Sequence, residues 1–262
     1  MFNEKIGESI FEISHKITDK PKEDYYNTHI HQHCEILLFI KGNAHYNIDG
    51  HLFEPNPYDL IFIPKGTYHC LLPQSDTIYE NYVIDFSDSL LSENQSEKLF
   101  SAPLIFNIKN DTDLVRFFTL LDYYYEKYSY EDFCECSLLL LKEILIYCSY
   151  RDKSQPQTDY KTNKLINNII DYITENIEKP ITAIDISNHF AFSKSYIQNT
   201  FSQVMHIGIK HYIIQKKIFA AQNDLILGLS PNEVANKYGF SDYSSFFRHY
   251  KRIIGCSPRK KA

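Results

Sequence analysis

Between residues 25 and 86 the chain alternates apolar and polar positions in short runs, EILLFI, AHYNID, DLIFIP and IYENYVIDF, separated by Gly42, Asp49-Gly50, Pro55, Pro57, Pro64 and Gly66. Period-two alternation broken by turn formers predicts the short strands of a β-sandwich or barrel. From 88 to 150 the spacing becomes helical, with Leu114, Phe117, Phe118 and Leu121 on one stripe and Leu138, Leu141 and Leu145 on another. RDKSQPQTDYKT, polar with a proline, reads as a linker. Beyond 163 the pattern is helical throughout. SPNE at 230–233 supplies an N-cap Ser, a Pro at the first helical position and a Glu three residues after the cap, a capping box. Gly239 is placed to end that helix in a left-handed conformation, and Ser241 or Asp242 to cap the next one through YSSFFRHYKRI. That is a helix-turn-helix. A related unit lies upstream in IDISNHFAFSKSYIQNTFSQV, with its turn at Ala191-Phe192 and its cap at Ser193, and KHYIIQKKIFAAQNDLIL joins the two.

The expected organisation is therefore a two-domain α+β chain. A β-sandwich or barrel occupies 1–87, a helical region 88–150, a flexible linker 151–162, and an all-α tandem helix-turn-helix 163–262. At 262 residues and 44% hydrophobic composition, two packed domains are affordable in length, and the 21 Tyr and 18 Phe read first as core and pocket lining. The longest apolar run, SLLLLKEILIY, is interrupted by Lys142 and Glu143, so no membrane span is expected. The start MFNEKIGESIFEI has no signal-peptide pattern, and six cysteines without CxxC pairs read as reduced thiols; together they predict a cytoplasmic protein.

Charge changes the picture once it is divided. Residues 163–262 hold 13 Lys/Arg against 7 Asp/Glu, while residues 1–162 hold 14 against 26. A basic helical domain on an acidic body is the footprint of a polyanion binder. The candidate chemistry lies elsewhere, in THIHQHCEILLFIKG, where His29, His31, His33 and Glu35 alternate and would line one wall of an extended strand.

GFSDYSSFFRHYKRIIGCSP resembles the signature of the AraC family of bacterial transcription regulators through Gly239, Phe240, Asp242, Ser244, Phe246, Arg248, Lys251, Gly255, Ser257 and Pro258, with Tyr250 in place of Phe. In the first repeat Asn199 stands where the family has Arg, Ser202 where it has Lys and His206 where it has Gly; Lys217 replaces an Arg of the connecting helix. The resemblance implies that each second helix enters a major groove of double-stranded DNA. Ser195, Gln198 and Asn199, with Tyr243, Ser244, Phe247 and Arg248, are then the expected base readers. Lys194, Lys216, Lys217, Lys251 and Arg252 are the expected phosphate contacts.

The N-terminal region resembles a cupin barrel, the usual sensor domain of that family: His29, His31, Glu35 and Gly42 fit the first motif, and Pro64, Gly66 and His69 the second. Tyr58 stands where the second motif begins with Gly. The resemblance makes His29, His31, Glu35 and His69 a complete set for a divalent metal (Zn, Ni, Fe or Mn). Three readings are open: a functional metal, a polar pocket for an organic effector, or structural histidines. A ligand- or metal-responsive regulator competes with a metal-dependent cupin enzyme bearing an accessory helical domain, and the tandem helix-turn-helix favours the regulator, which is not an enzyme. Expected partners are DNA, the effector, a second copy of the chain through the helices at 88–150, and RNA polymerase as a candidate.

Overall fold

The computed structural model describes residues 1–5, 11–21, 28–101, 103–151 and 161–259. The linker expected at 151–162 lies mostly outside the described residues. The chain divides into two compact units, 1–161 and 162–262.

Among its described residues unit 1 begins with strands β1 (Phe2–Lys5), β2 (Phe11–Thr18), β3 (Cys34–Lys41), β4 (Ala44–Ile48), β5 (His51–Phe53), β6 (Asp59–Ile63), β7 (His69–Pro73) and β8 (Tyr79–Phe86). Helix α1 (Glu93–Phe100), strand β9 (Leu104–Asn107) and helices α2 (Thr112–Lys127) and α3 (Tyr130–Ser149) follow. One antiparallel sheet has the order β1-β2-β8-β3-β6-β9, and in the smaller second sheet β4 lies between β5 and β7. The stretch expected to be wholly helical thus contributes an edge strand, β9, paired to β6. Four residues of LIFN cannot show a helical period, and its apolar positions fit either element.

The larger sheet is buried on both faces, so β3 reads as an almost continuous apolar run. Its residues Cys34, Ile36 and Leu38 join a core with the helices, while Leu37 and Phe39 join a second core with Tyr46, Phe53 and Leu71 of the smaller sheet. The helical stripes predicted from sequence meet the first core: Leu114, Phe117, Phe118, Leu121, Leu141 and Leu145 are all buried there, and Leu138 is partly so. Those stripes are therefore covered by the chain's own sheet and do not call for a second copy.

Unit 2 consists of α4 (Lys164–Glu175), α5 (Ala183–Phe190), α6 (Lys194–Met205), α7 (Ile209–Ile226), α8 (Pro231–Lys237) and α9 (Tyr243–Ile254). The caps form as the sequence predicts. Ser230 and Glu233 close a capping box on α8 with Pro231 inside its start, Ser193 caps α6, and of the two candidates for α9 it is Asp242 that accepts from Ser245 N at 2.7 Å. A further capping box, Thr182 with Asp185, opens α5. The two turns share one hydrogen-bond pattern, Phe192 N donating to Ser187 O and Phe240 N to Ala235 O, both at 3.1 Å. Among the described residues no helix is long and apolar enough to cross a membrane.

Candidate functional site

His29 and His69 clip two segments together by a reciprocal backbone pair, each N donating to the other's carbonyl at 3.1 Å. The chain then bends at Gln32 and His33 before β3 begins at Cys34. The alternating histidines consequently do not lie on one strand, as the sequence suggested; Gly66 N donating to His31 O at 2.9 Å holds the bend against the β6–β7 loop. The bend still brings His29, His31, Glu35 and His69 together, with their ligand atoms all within 4.8 Å of one another.

The histidine tautomers follow from backbone contacts. His31 Nδ1 lies 2.9 Å from His33 O and His69 Nδ1 lies 3.0 Å from Thr67 O, so each Nδ1 carries a proton and donates it. Both Nε2 atoms then face Glu35 Oε2, at 3.1 and 3.3 Å. Glu35 is only 6% exposed. Three atoms with lone pairs converging in a dry place repel unless a cation sits among them, either a proton or a metal. Burial pushes the Glu35 carboxyl up, but the neighbouring His69 and His31 outweigh it and hold it well below the usual range. His33, expected on the same wall as His29, His31 and Glu35, instead stacks on His31 at 3.8 Å and points Nε2 at Asp85 Oδ1, 3.2 Å away. His31, His33 and Asp85 form a second group with metal-ligand spacing.

Imidazole and carboxylate donors whose imidazoles are oriented by second hydrogen bonds are the chemistry that borderline divalent metals take. The residues present fit such an ion in donor type and in number. The group opens into a cavity of about 260 Å³ lined also by Lys16, Tyr46, Leu71, Tyr79, Asn81 and Asp85. Sequence reasoning missed these lining residues although the signal was present: Tyr79, Asn81, Val83 and Asp85 alternate along β8 and share its inner face.

In unit 2 the buried side of α6 is Ile197, Phe201 and Met205, which leaves Lys194, Ser195, Gln198 and Asn199 exposed. On α9, Phe246 and Tyr250 are buried, Tyr243, Ser244, Arg248, Lys251 and Arg252 are exposed, and Phe247 is half-buried against Tyr243. Lys216 is half-buried, with its ammonium over the Tyr212 ring. Lys217 departs from the expected phosphate contact. It is 5% exposed, and its ammonium donates to the carbonyls of Lys179 and, at 2.7 Å, of Tyr238 at the end of α8. Burial lowers its pKa to about 8. A lysine held inside by two carbonyls cross-ties the repeat and cannot reach a phosphate.

An AraC-like ligand-binding domain matches residues 15–132 and a helix-turn-helix domain matches 186–261. The chain is 26% identical over 251 residues to YdiP of Escherichia coli K12, an uncharacterised HTH-type transcriptional regulator, covering 92% of this chain and 82% of that one. It is 31% identical over 93 residues to the transcriptional regulatory protein HptR of Staphylococcus aureus, 36% of this chain and 37% of the relative. The unsaturated-fatty-acid-bound crystal structure of ToxT from Vibrio cholerae aligns over 97% of this chain and 95% of its own, at 15% identity and a TM-score of 0.41. A ligand-binding β unit and a tandem helix-turn-helix together define a transcription regulator that binds DNA and a small-molecule effector. The chain belongs to the AraC family. The relatives are regulators, and none of these findings favours the metal-dependent enzyme.

Proposed function

We propose that this regulator holds a divalent metal ion at His29, His31, Glu35 and His69, and that the ion, alone or as the anchor of a small organic effector in the adjoining cavity, sets how the protein holds DNA. The observation that supports the reading is the convergence of two oriented Nε2 atoms on one buried carboxylate oxygen. A metal supplies the positive charge that such a group requires and leaves coordination positions for an effector. The effect on DNA requires two conformations with different affinity for the ion or effector. The direct test is metal content by mass spectrometry, on protein purified without a histidine tag and dialysed in turn against Zn, Ni, Fe and Mn. About one ion per chain, lost in His31→Ala and in Glu35→Gln, is the expected result. Folded protein that takes up none of the four metals would refute the metal and leave an organic effector as the signal.

On the DNA side, Ser195, Gln198 and Asn199 of α6 and Tyr243, Ser244, Phe247 and Arg248 of α9 are the proposed base readers. Lys194, Lys216, Lys251 and Arg252 are the proposed phosphate contacts, with Lys217 withdrawn. Arg248→Ala should weaken binding to a DNA site selected from a random pool by about 1–3 kcal/mol. Unchanged affinity in a titration at fixed salt would remove α9 from the reading surface. Homodimerisation belongs to the same proposal, through the outer face of α3, where Leu139 and Ile146 are 59% and 54% exposed one above the other. RNA polymerase is the partner through which a regulator bound near a promoter would act.

A further inference from the structure

Between the two helix-turn-helix repeats of unit 2 lies a cleft of about 530 Å³, a size that suits a small organic molecule. Its floor is apolar and built from Ile181, Ile184, Ile213, Ile214 and Phe240. Lys194, Lys210 and His249 stand around it, and the buried Lys217 lines it as well. No acidic residue occurs among the described residues that line it. Lys217 has only neutral carbonyls as acceptors. His249 is held below its usual range by burial and then by Arg252, Arg248 and Lys210, an independent sign of positive potential there.

The two halves of this lining call for different things. A bare phosphate would answer the cations but leave the apolar floor uncovered. A neutral apolar molecule would cover the floor but leave the cations without a counter-charge. We propose that the cleft is a second ligand site, distinct from the cavity in unit 1, for a small amphipathic organic anion with its apolar body on the isoleucine floor and its carboxylate toward the exposed Lys194 and Lys210. Lys194 and Gln198 line the cleft and also lie on the α6 face assigned to DNA, so an occupant lowers DNA affinity. That consequence rests on the proposed DNA surface, whereas the binding itself does not.

Four of the five floor residues are isoleucines, which makes the site readable in the full-length protein by methyl-labelled isoleucine NMR, with 2-naphthoate as the probe. Saturable shifts of the Ile181, Ile184, Ile213 and Ile214 methyls are expected. They should be weakened severalfold in Lys210→Gln, an exposed position that the fold tolerates, and be much weaker with the neutral naphthalene-2-carboxamide. Three outcomes would each overturn the proposal. These methyls stay unmoved while isoleucines of unit 1 respond, the amide binds as well as the acid, or inorganic phosphate shifts the same methyls as effectively, which would make the cleft a seat for the DNA backbone.

Discussion

Three positions where the sequence departs from a glycine keep the backbone that glycine would have taken. Tyr58 begins the second cupin-like motif at φ 71°, His206 ends α6 at φ 53°, and Ala191 ends α5 at φ 56°. Its counterpart in the second repeat, Gly239, has φ 64°. An L-residue with a Cβ pays roughly 1–2 kcal/mol in this region. His206 is exposed, so His206→Gly should raise the stability of unit 2 by about 1 kcal/mol. A lower thermal midpoint by far-ultraviolet circular dichroism, to which the helical unit contributes most, would contradict this account. Gly239 is constrained twice, because an added Cβ would also come within 2.8 Å of Pro180 N. Gly239→Ala should therefore destabilise by about 1–3 kcal/mol in the same experiment. The Lys217 ammonium bonds the carbonyls of Lys179 and Tyr238, the residues just before Pro180 and Gly239, so tie and close approach are two sides of one contact.

Among the elements, β2, β8 and α2 are joined by a buried polar group with no counterpart in the sequence reading. His15 Nδ1 lies 2.7 Å from Asp122 Oδ1 and Nε2 lies 3.1 Å from Glu80 Oε1, while the ring stacks on Tyr82 at 3.9 Å. Tyr82 donates to Asp122, and Lys41 of β3 pairs with Glu80 at 2.9 Å. Burial acts to lower the His15 pKa, but Asp122 and then Glu80 outweigh it and raise the value above 6.5. The sign is fixed by linkage: a His raised in the folded state stabilises fully below its unfolded pKa, and that stabilisation is lost as pH rises through the folded one. Asp122 and Glu80 are held below their ordinary values despite burial, by His15 and Tyr82 for the first and by Lys41 and His15 for the second. Their stabilisation is present above the ordinary carboxylate range and fades in acid. Unit 1 should accordingly lose stability from about pH 6.5 upward. Urea midpoints measured across that range should fall for the wild type and flatten for His15→Gln. An equal fall in both would assign the pH dependence to another group. Nothing in the spacing of His15, Glu80 and Asp122 announced this group, because it joins side chains 65 and 107 residues apart in the chain.

At the scale of the whole molecule, the proposed homodimer rests on what remains exposed after each unit has packed. A concentration-dependent sedimentation coefficient is expected for the wild type and a monomer for the Leu139→Glu, Ile146→Glu double variant. A wild-type chain that stays monomeric at every concentration would end the dimer reading. The amino-acid sequence alone determined the features that are local or periodic. The capped helix pairs around Ser230 and Ser193, the strands of the β unit and the basic character of residues 163–262 are each written within a few neighbouring positions or in a simple count. Family spacing carried His29, His31, Glu35 and His69. Only the tertiary structure decided that the histidine segment bends rather than runs as a strand, that Lys217 turns inward, that the α2 and α3 stripes are used up on the chain's own sheet, and that His15 meets Asp122. The physical reason is common to all four. A side chain's type and period say which faces should be buried, but which partner covers them depends on distant segments, and their pairing leaves no mark in local spacing.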